Sequence, residues 1–234
     1  MDTVQKFSTF TSFNTHSLKR IFQILLLGTT FISFNLFAFQ TSSDSQKILN
    51  QANGLNPQVL NVALKAYQHA RNMGLDKQQI LTIIDYSKPS SDKRLWVIDL
   101  KKDQVDYSVH VAHGKDSGNN YAHFFSDQPR SLASCIGVIE TGATYQGEHG
   151  YSLRLKGLEK GYNDTMYSRA VVMHSAWYVT PSFLQKYGRL GRSWGCPALN
   201  PQSSTPIINT IKDGTIIVAY YPDQSWLTHS KFLA

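Results

Sequence analysis

Gly191-Arg192-Ser193-Trp194-Gly195-Cys196-Pro197-Ala198 sets one of the chain's two cysteines between a glycine and a proline. Glycine adopts backbone conformations closed to other residues and lets chain segments approach closely. Proline fixes its own φ and pushes Cys196 toward an extended conformation. A thiol on such a turn, with backbone N–H groups just ahead of it, supplies what acyl transfer needs: a nucleophile and donors for an oxyanion. Upstream, Val171-Val172-Met173-His174-Ser175 is an apolar run that ends on a histidine. Read as a strand, it carries His174 toward Cys196. A cysteine alone reads as a small buried hydrophobe; the histidine and the glycine turn the reading to catalysis.

Outward from this stretch the pattern is of short strands separated by turns. Ile80 to Tyr86, Arg94 to Leu100, Gln104 to Ala112, Ser134 to Thr141, Tyr151 to Leu155, Ala170 to Met173 and Thr215 to Tyr221 read as strands. In the third, Val105, Tyr107, Val109 and Val111 alternate with polar residues, the period of a half-buried strand. Gly142 to Gly150 reads as a glycine-rich loop, and 114–130 as loop also. Helices are expected from Asn56-Pro57 to Gly74, from Pro181 to Tyr187 and from Pro201 to Lys212, with Asn as N-cap and Pro at N1 in the first. Asp76 followed by Gln79 resembles a capping box and suggests a further helical turn. The fold class expected is mainly β, a sandwich or barrel-like catalytic domain over 80–222. Linker and N-terminal helical extension occupy 41–79, and a tail occupies 223–234.

Residues 1–40 read as an address. Lys6, Lys19 and Arg20 precede an apolar stretch, Ile21 to Phe39, and Ala38 is a small residue at a cleavage position. A cleaved signal peptide is the favoured reading and an uncleaved membrane anchor the other, with inner-membrane association through 21–39. Either way the remainder is exported, to the periplasm or cell envelope. The whole chain has a net charge of +7. The basic residues form no single block and match no nucleic-acid motif, which argues against a nucleic-acid partner and fits a polyanionic envelope. Two cysteines in an exported chain raise a Cys135–Cys196 disulfide as a minority reading.

The segment from about Ile80 to Tyr221 resembles the L,D-transpeptidase catalytic domain (the YkuD-type fold), in particular its murein L,D-transpeptidase branch. The resemblance rests on His174-Ser175 followed by Ser193-Trp194-Gly195-Cys196. Around them it draws on Asp85-Tyr86-Ser87, Arg94-Leu95-Trp96-Val97-Ile98-Asp99, Ala112-His113-Gly114, His149-Gly150 and Gly191-Arg192-Ser193. It departs from the common form of the family at Trp194, where a second histidine usually precedes the Gly-Cys. The resemblance implies a cysteine enzyme acting on peptidoglycan stem peptides with no metal or organic cofactor. Cys196 would be the nucleophile, His174 the base, and the backbone carbonyl of Ser175 the group that orients the imidazole. Oxyanion donors would be the N–H groups of Gly195, Cys196 and Trp194.

Arg192 and Ser193 are candidates for substrate contact, with Arg192 able to take a carboxylate bidentately, and His149 is a further one. For each, a solvated or structural role is the plain alternative, as it is for His113, Trp177 and Cys135. A zinc peptidase would draw on His113, His149, His174 and Glu148, but no metal-ligand spacing joins them. A papain-like peptidase would place the cysteine before the histidine. A carboxypeptidase trimming stem peptides and a non-catalytic wall-binding module are the remaining alternatives.

Overall fold

The computed structural model describes residues 43–234, so the expected export signal lies outside the described residues. Among the described residues eight strands form one sheet in the order β3-β2-β1-β8-β4-β5-β6-β7. They are β1 (Ile80–Asp85), β2 (Leu95–Asp99), β3 (Gln104–Val109), β4 (Gly137–Gly147), β5 (Gly150–Gly157), β6 (Val172–Ser175), β7 (Ala198–Leu199) and β8 (Ile216–Tyr220). Two pairings are parallel, β1 with β8 and β6 with β7; the others are antiparallel. The chain is therefore mainly β, as its sequence indicates. Every residue of β1 and β2 is buried, which fits strands covered on both faces.

Among the described residues five α-helices frame the sheet: α1 (Ser43–Gln51), α2 (Pro57–Asn72), α3 (Pro181–Tyr187), α4 (Pro201–Ile211) and α5 (Gln224–His229). Local chemistry starts three of them. Asn56 Oδ1 accepts Gln58 N–H at 2.8 Å, Thr180 Oγ1 accepts Phe183 N–H at 3.3 Å, and Asn200 Oδ1 accepts Gln202 N–H at 2.8 Å, each ahead of a proline in the first turn. Helix α2 buries Val59, Leu60, Ala63, Ala66 and Tyr67 in the main core with β1 and β8.

Two expectations are revised. Residues Gly142 to Gly147 belong to strand β4, which pairs with β5 across a bulge between Thr141 and Thr144; the glycines there mark a bulged strand rather than a loop. The Asp76–Gln79 pattern makes a capped turn and no helix. Asp76 accepts the N–H groups of Gln78 and Gln79, but Gln79 lies at φ +62 and Lys77 N–H donates to Gly214 O, so the chain turns directly into β1. The segment after 222 packs on the domain: α5 buries Trp226, and Phe232 beyond it is fully buried. Among the described residues no helix is long and apolar enough to cross a membrane.

Candidate active site

Strand β6 is the buried run Val172-Met173-His174 followed by half-buried Ser175. Its apolar residues anchor it in the core, and its end presents His174. Strand β7 runs parallel beside it, with His174 opposite Ala198 and Ser175 opposite Leu199. The register puts Cys196, two residues before Ala198, alongside the start of β6. Accordingly Val172 N–H donates to Cys196 Sγ at 3.4 Å.

His174 Nδ1 lies 2.8 Å from Ser175 O. A carbonyl only accepts, so Nδ1 carries the proton and Nε2 keeps its lone pair for base work. Burial pushes the His174 pKa down, against the pull of the Ser175 carbonyl, and the neighbouring His149 lowers it further. The exposed His149, at the β4–β5 turn, stacks on His174 with ring centroids 4.3 Å apart and planes at 23°. The Cys196 thiol is raised by burial, while Val172 N–H and Arg169 oppose the rise. Among the described residues no hydrogen bond joins His174 to Cys196; the sulfur's recorded partner is Val172 N–H.

The turn that carries Cys196 is fixed from several sides. Gly195 sits at φ +122, and a Cβ there would lie 2.7 Å from Ala133 O, so only glycine fits. Ser193 Oγ donates to Cys196 O at 2.6 Å and accepts Gly195 N–H at 3.1 Å. Gly195 N–H is thus engaged within the turn, whereas Trp194 and Cys196 N–H have no recorded partner among the described residues. Segment 112–115 lies alongside: Ala112 N–H donates to Ala198 O, Ser193 N–H to His113 O and Lys115 N–H to Ser193 O.

His113 is a structural member of this brace. Arg94 Nη2 donates to its Nδ1 at 2.7 Å, and its Nε2–H faces Gly118 O at 3.4 Å. Burial, with the Arg94 charge, pushes its pKa down to about 3, so it stays neutral. Arg192 Nη1 donates to Gly118 O at 3.0 Å and Lys115 O at 3.4 Å. Trp194 and Trp177 are both largely exposed, and Trp177 meets Tyr178 and Phe183 edge-on.

Sequence reasoning did not single out Arg169 and Asp127. Both side chains are buried, their charged groups 3.7 Å apart. Arg169 also donates to Ser126 O, Ala133 O, Ser131 Oγ and Cys135 Sγ. Only chain reversal brings these together, and no local spacing signals it. Cys135 and Cys196 are both free thiols; Cys135 is buried, donates to Ser126 O, and has its pKa raised by burial to about 12. Among the described residues no group of three or more His, Cys, Asp or Glu side chains is placed to hold a metal ion.

The sequence model of the L,D-transpeptidase catalytic domain matches residues 51–220. Among solved structures the chain is similar to an L,D-transpeptidase from Mycobacterium smegmatis, with 15% identity, a TM-score of 0.38, and coverage of 61% of this chain and 59% of that one. It is likewise similar to L,D-transpeptidase 1 of Mycobacterium tuberculosis, with 14% identity, a TM-score of 0.35 and 60% of each chain covered. A third likeness is to a fused Zn-dependent amidase/peptidase/peptidoglycan-binding domain-containing protein of Clostridium acetobutylicum, with 17% identity, a TM-score of 0.37, and 74% and 66% covered. The chain thus spans about three fifths of the two mycobacterial chains. No curated protein matches the sequence. With the family's sequence model spanning residues 51–220, most of its length, the chain belongs to the L,D-transpeptidase catalytic domain family.

Proposed function

We propose that the chain is a cysteine-dependent L,D-transpeptidase that remodels peptidoglycan in the cell envelope through a thioester acyl-enzyme, exported by way of residues 1–40. The observation that carries this reading is His174: its Nδ1–H is held by Ser175 O on a strand whose parallel neighbour leads back to Cys196. Nε2 is then the free basic nitrogen beside the thiol's turn.

In the first step Cys196 Sγ attacks the carbonyl between an L-centre and the terminal D-residue of a stem peptide. The thiol proton passes to His174 Nε2. Because Sγ accepts from Val172 N–H, its own proton is available for transfer. The tetrahedral oxyanion takes the N–H groups of Cys196 and Trp194, since Gly195 N–H is bonded to Ser193 Oγ; one such donor lowers a barrier by about 3 kcal/mol. Collapse breaks the C–N bond, and His174 returns its proton to the departing amine. A second amine, from a neighbouring stem peptide, attacks the thioester, gives a proton to His174, and releases the cross-linked product with the thiol restored.

The test uses purified residues 43–234 and disaccharide-tetrapeptides, read by mass spectrometry beside Cys196→Ala. A dimer short of one terminal D-residue, with an acyl adduct on Cys196, is the expected result, and both vanish in the variant. Tripeptide alone would reassign the enzyme as a carboxypeptidase. Wall binding with no product from the folded, reduced protein would leave a non-catalytic module.

A further inference from the structure

A cavity of about 500 Å³ opens beside the nucleophile turn, lined by Pro129, Arg130, Leu132, Ser168, Arg169 and Trp194. It touches the catalytic turn through Trp194, two residues before Cys196. Its walls are two loops held by a buried network. Asp127 accepts Thr165 N–H at 2.9 Å, which ties one loop to the other, and Arg169 Nη2 donates to Ala133 O and Ser131 Oγ at 3.1 and 3.0 Å.

Two lining residues hold a left-handed backbone, Arg130 at φ +63 and Leu132 at φ +53, and so does Ala170 at φ +54, directly after the lining residue Arg169. Such conformations cost energy and persist only where the surroundings enforce them, and they gather at binding sites. Three arginines flank the turn, and they differ in what they are free to do. The terminal nitrogens of Arg169 are committed to Ser126 O, Cys135 Sγ, Ser131 Oγ and Ala133 O. Arg192 is tethered to Gly118 O and Lys115 O. Arg130 is exposed and makes no hydrogen bond or ion pair among the described residues. The cavity therefore combines apolar walls with one uncommitted guanidinium, a geometry for a small residue that carries a carboxylate.

We propose that this cavity is the subsite for the terminal D-residue of the donor stem peptide, with Arg130 pairing its free carboxylate and Leu132 and Trp194 walling its side chain. The assignment rests on the transpeptidase reading, which places the scissile carbonyl at Cys196. The terminal carboxylate then lies one residue from that carbonyl, and a residue spans about 3.5 Å, so it falls close to the turn that Trp194 and Cys196 share. The same pairing favours stems that end in a free carboxylate over those that are capped.

Binding to the full chain carrying Cys196→Ala, measured by calorimetry, separates this proposal from the reading it rests on. The probes are a disaccharide-tetrapeptide with all carboxyls free, the same compound as its terminal carboxamide, and the same compound with a side-chain carboxyl amidated instead. The terminal amide should bind about tenfold more weakly than the free acid, the scale of one charge-assisted hydrogen bond. Adding Arg130→Gln should weaken the free acid to the level of the amide, and Arg130→Lys should restore part of the difference. Circular dichroism checks that both variants fold. Equal binding of acid and terminal amide, a preference that survives Arg130→Gln, a preference that tracks the side-chain amide, or no binding at all would each overturn the subsite. Thioester formation by the unsubstituted protein is scored separately by mass and reports on the transpeptidase reading alone.

Discussion

Gly195 is the residue on which the site's geometry turns. Its φ of +122 and the 2.7 Å approach that a Cβ would make to Ala133 O act together, and the colliding atom is backbone that cannot swing aside. Gly195→Ala should destabilise the fold by about 1–3 kcal/mol, seen as a lower urea midpoint. By displacing Cys196 it should cut kcat by about a hundredfold. A second prediction concerns the pH profile. In the proposed mechanism the active protonation state holds one proton on the thiol and none on Nε2, so activity should fall when His174 gains a proton and when the thiol loses its own. Burial lowers the first pKa and raises the second. The kcat/KM plateau should therefore extend below the ordinary histidine value of about 6.5 and above the ordinary cysteine value of about 8.5. His149→Ala removes both the repulsion and part of the cover on His174, so it should raise that pKa and move the acid limb to higher pH. An unmoved acid limb would show that the stacked pair is uncoupled.

Between elements, the loop 126–135 and the loop before β6 are locked by the buried pair Asp127–Arg169. Arg169→Met would leave Asp127 buried without its cation, and breaking such a pair costs about 3–5 kcal/mol. It would also remove the charge that favours the Cys196 thiolate, so the alkaline limb should move to higher pH. Thermal melts and a pH–rate series check the two effects, and Asp127→Asn in the same chain should recover part of the stability. This pair shows what the sequence could not reveal. Asn56-Pro57, Thr180-Pro181 and Asn200-Pro201 announce helix starts because a cap bonds within three residues. His174 is legible because Val171 to Met173 is an apolar strand leading to it. Asp127 and Arg169 are far apart in the sequence and pair only in the tertiary structure. The glycines at 142 and 147 misled for a related reason: what keeps that segment extended is the partner strand β5, with Arg154 stacked over the Tyr145 ring at 4.5 Å. Gln79 likewise follows its pairing neighbours rather than the local capping pattern.

At the scale of the whole molecule, the catalytic sheet is closed from both ends of the described chain. Ile48 of α1 and Leu60 of α2 enter the main core from one end, and Trp226 and Phe232 from the other. Glu159, buried just past β5, ties the tail to the sheet: it accepts Val138 N–H at 2.6 Å and Trp226 Nε1–H at 3.0 Å, and it is hydrogen-bonded by Ser230 Oγ. The tail is thus both an apolar lid and the supplier of two donors to a buried carboxylate. Trp226→Ala should cost about 3–5 kcal/mol as a large-to-small core change. At about 2–4 °C per kcal/mol for a domain of this size, that is a fall in Tm of roughly 10 °C. Cutting the chain back to 51–220, the span matched by the family's sequence model, goes further. It removes Ile48, Trp226 and Phe232 together and leaves Glu159 with fewer donors, a loss comparable to the whole stability of a typical domain, about 5–15 kcal/mol. That fragment should show no cooperative melt and no labelling of Cys196 by muropeptide, whereas residues 43–234 should show both; a cooperative transition from the fragment would mean that the terminal segments are dispensable covers rather than part of the catalytic core.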